Sequence, residues 1–254
     1  MFDIGQDQAA GLRLELQARE GGPALMPLAA TAQPAHGFEW LCALAGELSE
    51  AGQRVLVIDG CASERGRTDG LAHALADSGV SHLGAGIGLG SAAGDWPVLP
   101  AAQGLHQLLQ TAAVSGADAA LSRLFAPFAS GVLLLLHAPA AALAALLSGV
   151  PARVLVPVVA QPQASIDAYG ALKWLHSAGL KPVLAPLQAS PQVLGNVLDC
   201  AQRHLGLTLP VWPLSAWGQR VADAALVCAD APAFVPYGPG AHGARAGAAI
   251  PFWS

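Results

Sequence analysis

Lysine is almost missing from this chain: 254 residues contain two, Lys173 and Lys181. Charged residues of all kinds make up 11%, where ordinary domains carry about 25%. The net charge is −5 and there is no basic run. Without a cluster of cations to neutralise phosphates, non-specific nucleic-acid binding is disfavoured, and an anionic membrane surface is disfavoured for the same reason. The apolar stretch Gly131–Leu136 is far too short to span a bilayer. The opening MFDIGQDQAAG is acidic and polar, unlike a signal peptide. The four cysteines (Cys42, Cys61, Cys200, Cys228) never form a CxxC pair, and the eight histidines never fall at HxH or HxxxH spacing. Chain spacing therefore offers no metal or redox motif. Scattered thiols read as reduced, which makes the expected location cytoplasmic. No GxSxG elbow occurs.

What the chain has in plenty is small and branched apolar residues: 54% are hydrophobic, punctuated by 29 Gly and 19 Pro. That composition suits a sheet buried on both faces by small-residue helices. Asp7–Glu20 reads as a short helix with Asp7 as its cap, and Gly21-Gly22-Pro23 as a linker. Ala24–Ala30 has strand length, Thr31–Gly37 reads as a loop, and a helix is expected from about Phe38 to Ala51. Its stripe would be Phe38, Leu41, Leu44, Ala45 and Leu48, with Gly52 as the left-handed terminator. Arg54–Asp59 is a buried strand ending in a carboxylate.

The alternation continues. Helices are expected at Leu71–Ser78, Gly104–Ser115, Ala119–Phe128, Ala140–Leu147, Ser165–Ser177 and Pro191–Leu205. Strands are expected at Trp96–Leu99, Gly131–His137, Arg153–Val159, Lys181–Ala185 and Leu209–Trp212. Repeated βα units mean an α/β fold with a mostly parallel, doubly wound sheet. Residues 1–22 form an N-terminal segment, 23–235 the α/β domain, and 236–254 an aperiodic tail. Gly84–Gly90 places glycine at alternate positions and reads as a loop, since no helix in register follows it.

In such a sheet, ligands bind at the carboxyl ends of the strands, where the first strand turns into the first helix. A phosphate-binding loop there needs converging backbone N–H groups, a Lys for the outer phosphates, and a Ser or Thr for Mg²⁺. Thr31–Phe38 offers little of this. Its only glycine is Gly37, Pro34 has no N–H, and Phe38 stands where the Mg²⁺ hydroxyl belongs. Gln33 and His36 supply no ammonium, and His36 reads as a surface loop residue. The later apolar strand runs into His137-Ala138-Pro139 without a carboxylate.

Asp7-Gln-Ala-Ala-Gly-Leu-Arg13, ahead of the first strand, resembles the DQAxGLR motif of the FlhG/FleN family, MinD-like regulators of flagellar number and placement. Gly52-Gln-Arg-Val-Leu-Val-Ile-Asp59 is similar to the GxRVLVxD passage of MinD and ParA relatives. Trp96–Gly104 resembles the family's vlPAxxG turn, Ser165–Lys173 its SxxDAYxLIK helix, and Asn196–Gly206 its N...a...FL segment. The resemblance spans about 3–226 and implies a MinD/ParA-like, P-loop NTPase-like fold with a degenerate P-loop. Asp59 falls where MinD-class proteins keep an Mg²⁺-associated carboxylate; without a phosphate site it reads as a strand-end or capping Asp.

The resemblance implies a partner of the signal-recognition-type GTPase FlhF in flagellar biosynthesis, with other flagellar assembly proteins as further partners; the missing loop residues and strand-end carboxylate make the expected role non-catalytic. Asp7, Gln8, Ala9, Gly11, Leu12 and Arg13 are the residues expected to engage FlhF and stimulate hydrolysis. No cofactor is expected. ATP with Mg²⁺ enters only under the alternative, a MinD/ParA-class ATPase with an aberrant loop. The family's basic amphipathic C-terminal helix is not recognisable here, so membrane contact is expected to be weak or absent.

Overall fold

A computed structural model of the chain describes residues 22–31, 34–64, 70–76, 96–161 and 163–227, with only the backbone described at 34–36. The expected Asp7–Glu20 helix, the Asp7–Arg13 motif, Gln33, Gly84–Gly90 and the 236–254 tail lie outside the described residues.

Among the described residues, seven strands form one sheet. They are β1 (Ala24–Ala29), β2 (Arg54–Asp59), β3 (Val98–Pro100), β4 (Val132–Ala138), β5 (Arg153–Val159), β6 (Lys181–Leu187) and β7 (Leu226–Val227). The spatial order is β3-β2-β4-β1-β5-β6, and β7 pairs with β1. All pairings are parallel except β1 with β7. The fold is therefore α/β with a mostly parallel sheet. Between the strands lie α1 (Pro34–Glu50), α2 (Leu71–Ala76), α3 (Ala102–Ser115), α4 (Ala117–Phe125), α5 (Ala140–Leu146), α6 (Ala164–Ser177), α7 (Pro191–Leu205) and α8 (Trp217–Ala224).

Strand side chains alternate between faces, so consecutive residues feed two cores. Leu56, Ile58, Leu134 and Leu136 pack with Leu71, Leu108, Leu124, Leu143 and Leu172 from α2 to α6. Val57, Leu133, Leu135, Met26 and Leu28 pack on the other face with Trp40, Leu44 and Leu48 of α1 and Trp217 and Val221 of α8. Trp40 and Trp217 meet with ring centroids 5.3 Å apart. Each indole N–H is satisfied: Trp40 donates to Ala185 O at 2.9 Å, and Trp217 to Trp212 O at 2.8 Å. Two helices are thereby tied to the β6 side of the sheet.

Several boundaries differ from expectation. The first helix begins at Pro34, not Phe38, so most of the expected loop is a helical turn. Pro34 sits at the start of the helix, where its fixed φ suits the helix and its missing N–H costs nothing. Phe38 is 57% exposed and Trp40 takes its place in the core. In α6, Ile166 is 62% exposed, and Ala168, Ala171, Leu172 and Leu175 form the buried face. The expected strand Leu209–Trp212 is reduced to a bridge, Leu184 with Val211, because Pro210 and Pro213 interrupt the run. Helix α8 and strand β7 carried no expectation. Gly52 ends α1 at φ 80°, as expected. Among the described residues no helix is long and apolar enough to cross a membrane.

Candidate functional site

The strand order reverses around β1: the chain leaves β1 for β2 on one side, and β4 is followed by β5 on the other. The carboxyl ends of β1, β2 and β4 thus meet at the switch point, the place where a doubly wound sheet binds ligands. Three backbone bonds fix these ends. Ala30 N–H donates to Ala138 O at 2.8 Å, Gly60 N–H to His137 O at 2.8 Å, and Ala101 N–H to Asp59 O at 2.9 Å.

Asp59 and His137 are register partners at the ends of β2 and β4. They share the face of Val57 and Leu135, so both side chains come up under the first turn of α1. His137 Nδ1 and Asp59 Oδ1 lie 3.2 Å apart. Asp59 Oδ1 also accepts the Cys61 N–H at 3.0 Å. Burial alone would raise the Asp59 carboxyl. The His137 hydrogen bond, the N–H groups of Cys61 and Ala62, and the charge of His137 outweigh it and hold Asp59 below the usual carboxylate range. Cys61, in the turn after β2, is exposed on its surface. Its thiol is pushed up to about 11 by desolvation and by the Asp59 charge beside it.

The imidazole of His137 is the buried polar group of the region, 8% exposed, and its Nε2 has no hydrogen-bond partner. It faces Gly37 in the first turn of α1. A Cβ on Gly37 would stand 2.7 Å from Thr31 Oγ1 and 3.7 Å from His137 Nε2. The glycine lets helix, loop threonine and imidazole close together.

The space beneath α1 holds an imidazole ring, and neither lysine is near. Lys173 lies in the middle of α6, and Lys181 opens β6 at the opposite, amino edge of the sheet. Arg54 and Arg153 also open their strands at that edge. Beside the site, past the ends of β5 and β6, lies an open cleft of about 530 Å³ lined by Glu39, Ala43, Val159, Gln161, Leu187 and Gln188. Gln188 adopts φ 54° at its rim.

A second carboxylate acts behind the site. Glu64 accepts the Ala72 N–H at 3.0 Å and the Gly104 N–H at 2.7 Å. One side chain therefore caps the first turns of both α2 and α3.

Of the residues singled out in the sequence, Thr31, Gly37 and Asp59 come together. Phe38 points to solvent, while Pro34 and His36 lie in the backbone of the first helical turn. His137, noted in the sequence only because no carboxylate stood there, is the central residue of the site, and Cys61 joins it. The signal that could have found them is that both apolar strands carry a polar residue at or next to their carboxyl end, RVLVID and VLLLLHA.

No protein-family model matches the sequence, and comparison with curated proteins finds no match. Among solved structures the chain is similar to a variant of McdA from Cyanothece in complex with ATP. That match has 13% identity and a TM-score of 0.47, over 81% of this chain and 88% of that one. A putative plasmid partition protein from Borrelia burgdorferi bound to AMPPNP is similar at 12% identity and a TM-score of 0.44, over 76% and 86%. The MinD cell division protein of Aquifex aeolicus is similar at 12% identity and a TM-score of 0.33, over 74% and 99%. Likenesses at this level assign neither family nor activity.

Proposed function

We propose that this protein is a non-catalytic regulator of the FlhG/FleN kind, which binds and stimulates an FlhF-type GTPase in flagellar biosynthesis through Asp7–Arg13. The observation that supports a non-catalytic reading is the buried His137 ring beneath α1. It stands with Gly37 and Thr31 at the turn from β1 into α1, and no lysine is within reach. The DQAAGLR motif supports the choice of partner. Arg13 offers a rigid fork of donors suited to a carboxylate or phosphate, and Gln8 can both donate and accept.

The test has two arms. In the first, full-length protein is mixed with an FlhF-type GTPase and GTP turnover is followed. Wild type raises turnover, and Gln8→Ala with Arg13→Ala abolishes the effect while circular dichroism stays unchanged. Loss of a buried Arg contact costs about 2 kcal/mol, roughly thirtyfold in affinity. Equal stimulation by the double variant sinks the partner assignment. In the second arm, calorimetry with ATP and Mg²⁺ gives no binding heat. A Kd near or below about 10 μM, worth about 7 kcal/mol, favours the alternative of a MinD/ParA-class ATPase with an aberrant loop.

A further inference from the structure

Three donor atoms of different chemistry converge at the ends of two neighbouring strands. A carboxylate oxygen of Asp59, the sulfur of Cys61 and an imidazole nitrogen of His137 all lie within 4.8 Å of one another. We propose that Asp59, Cys61 and His137 bind a single divalent transition-metal ion of the zinc class, leaving a fourth coordination position for water or an outside ligand.

The donor set selects the ion. Thiolate and imidazole are ligands for zinc and its neighbours, whereas Mg²⁺ asks for about six oxygens in an octahedron. Three protein ligands with one open position are a known arrangement for a tetrahedral ion.

The geometry is close to what such an ion requires. Ligand atoms about 2.0–2.2 Å from a tetrahedral centre stand about 3.4 Å apart. Asp59 Oδ1 and His137 Nδ1 already stand 3.2 Å apart. Their backbones are held by parallel pairing and by the Gly60 N–H to His137 O bond, so neither strand must move. Cys61 is two residues past Asp59 in an exposed turn, and rotation about its side-chain bonds brings the sulfur in without disturbing the core.

A backbone contact orients one of the ligands as well. Asp59 is fixed by the Cys61 N–H. Ligation through Nδ1 leaves the ring proton on Nε2, the buried nitrogen that now has no partner. Thr31 Oγ1 lies on that side, since it and Nε2 both flank the position above Gly37. A donor N–H opposite the metal-bound nitrogen is the usual way a ligating histidine is oriented. On binding, Cys61 coordinates as the thiolate and its proton leaves to solvent. The ligands and their test leave the amino-terminal segment untouched, so this inference does not depend on the partner proposed above.

Cobalt(II) reports both stoichiometry and sulfur ligation. Full-length protein is stripped with chelator, desalted under reducing conditions and titrated with Co²⁺, then with Zn²⁺. One equivalent of Co²⁺ is expected to give intense tetrahedral visible bands and a sulfur-to-cobalt charge-transfer band, both removed by Zn²⁺ and unaffected by millimolar Mg²⁺. Cys61→Ser, at an exposed position, is expected to keep its circular dichroism, lose the charge-transfer band and bind at least ~10-fold more weakly, about 1.4 kcal/mol. Asp59→Asn weakens binding while keeping the band, and Cys42→Ser changes neither. Absence of the sulfur band at one equivalent overturns the proposal. So does a band that survives Cys61→Ser.

Discussion

His137 and Asp59 face each other across β4 and β2, Nδ1 to Oδ1 at 3.2 Å, with the imidazole buried and the carboxylate at the edge of solvent. The arrangement makes the carboxylate dependent on its neighbour. In metal-free protein, His137→Leu is expected to lower stability by about 1–3 kcal/mol, because a partly buried charged acceptor loses its donor. The dependence has a pH signature. Asp59 is held below its ordinary value, so its contribution is present above about pH 3.9 and is lost as pH falls through the depressed value. Urea melts of wild type and Asp59→Asn should therefore differ at pH 6 and converge as the medium is acidified below about pH 4. A stability gap that widened on acidification would contradict the assignment.

Gly37 sets two effects against each other. Alanine is favoured over glycine within a helix by about 1 kcal/mol, yet its Cβ would stand 2.7 Å from Thr31 Oγ1. Gly37→Ala alone is expected to destabilise. In a Thr31→Ala background, where that oxygen is gone, the same change is expected to cost less or to stabilise. A double-mutant cycle by denaturant unfolding should give a coupling of about 1 kcal/mol or more; additivity within about 0.3 kcal/mol would show that the two residues do not meet.

Glu64 and Gly104 form one joint. A Cβ on Gly104 would fall 2.6 Å from Leu71 Cβ and 2.8 Å from the Ala72 backbone nitrogen, so α3 cannot yield by turning one side chain. Gly104→Ala is expected to cost about 1–3 kcal/mol through overpacking. Glu64→Gln keeps the size but removes the charge facing two helix starts. It should cost about 1 kcal/mol, measured by thermal unfolding, and more at low salt than at high salt.

Cys61 should behave as a sluggish thiol despite its exposure. Its pKa of about 11 leaves little thiolate at neutral pH. In metal-free protein, iodoacetamide labelling of Cys61 is expected to be slow at pH 7.5 and to rise about tenfold per pH unit toward pH 10. Asp59→Asn removes the adjacent negative charge and should speed labelling at every pH below 10. Mass spectrometry of the Cys61 peptide gives the rate; ordinary reactivity at pH 7.5 would refute the environment described.

How far the sequence could be read depended on how local each signal was. Helix α7 was legible at both ends because Ser190 accepts the Val193 N–H, Pro191 opens the helix, and Gly206 closes it at φ 66°. The start of α1 was misread because its first turn has no apolar period, and a proline there looks like loop. The strand expected at Leu209–Trp212 failed on Pro210 and Pro213, whose effect outweighs the apolar run. The site was less legible still. Thr31, Gly37 and Asp59 could be placed from the expected βα turn and strand end. The partner of Asp59 lies 78 residues away, and their meeting depends on β4 inserting between β1 and β2. No spacing rule along the chain encodes that insertion.

The packing beneath α1 also constrains the order in which substitutions could remodel this edge of the sheet. An ammonium introduced near Thr31 would meet the His137 ring, and shortening His137 first would strand the Asp59 carboxylate. Enlarging Gly37 while Thr31 keeps its hydroxyl would press on that oxygen. Each single step is unfavourable alone and acceptable only after another has been taken. Introducing an anion-binding turn here would require coordinated replacement at Thr31, Gly37 and His137, a strongly epistatic path that sequential selection traverses poorly.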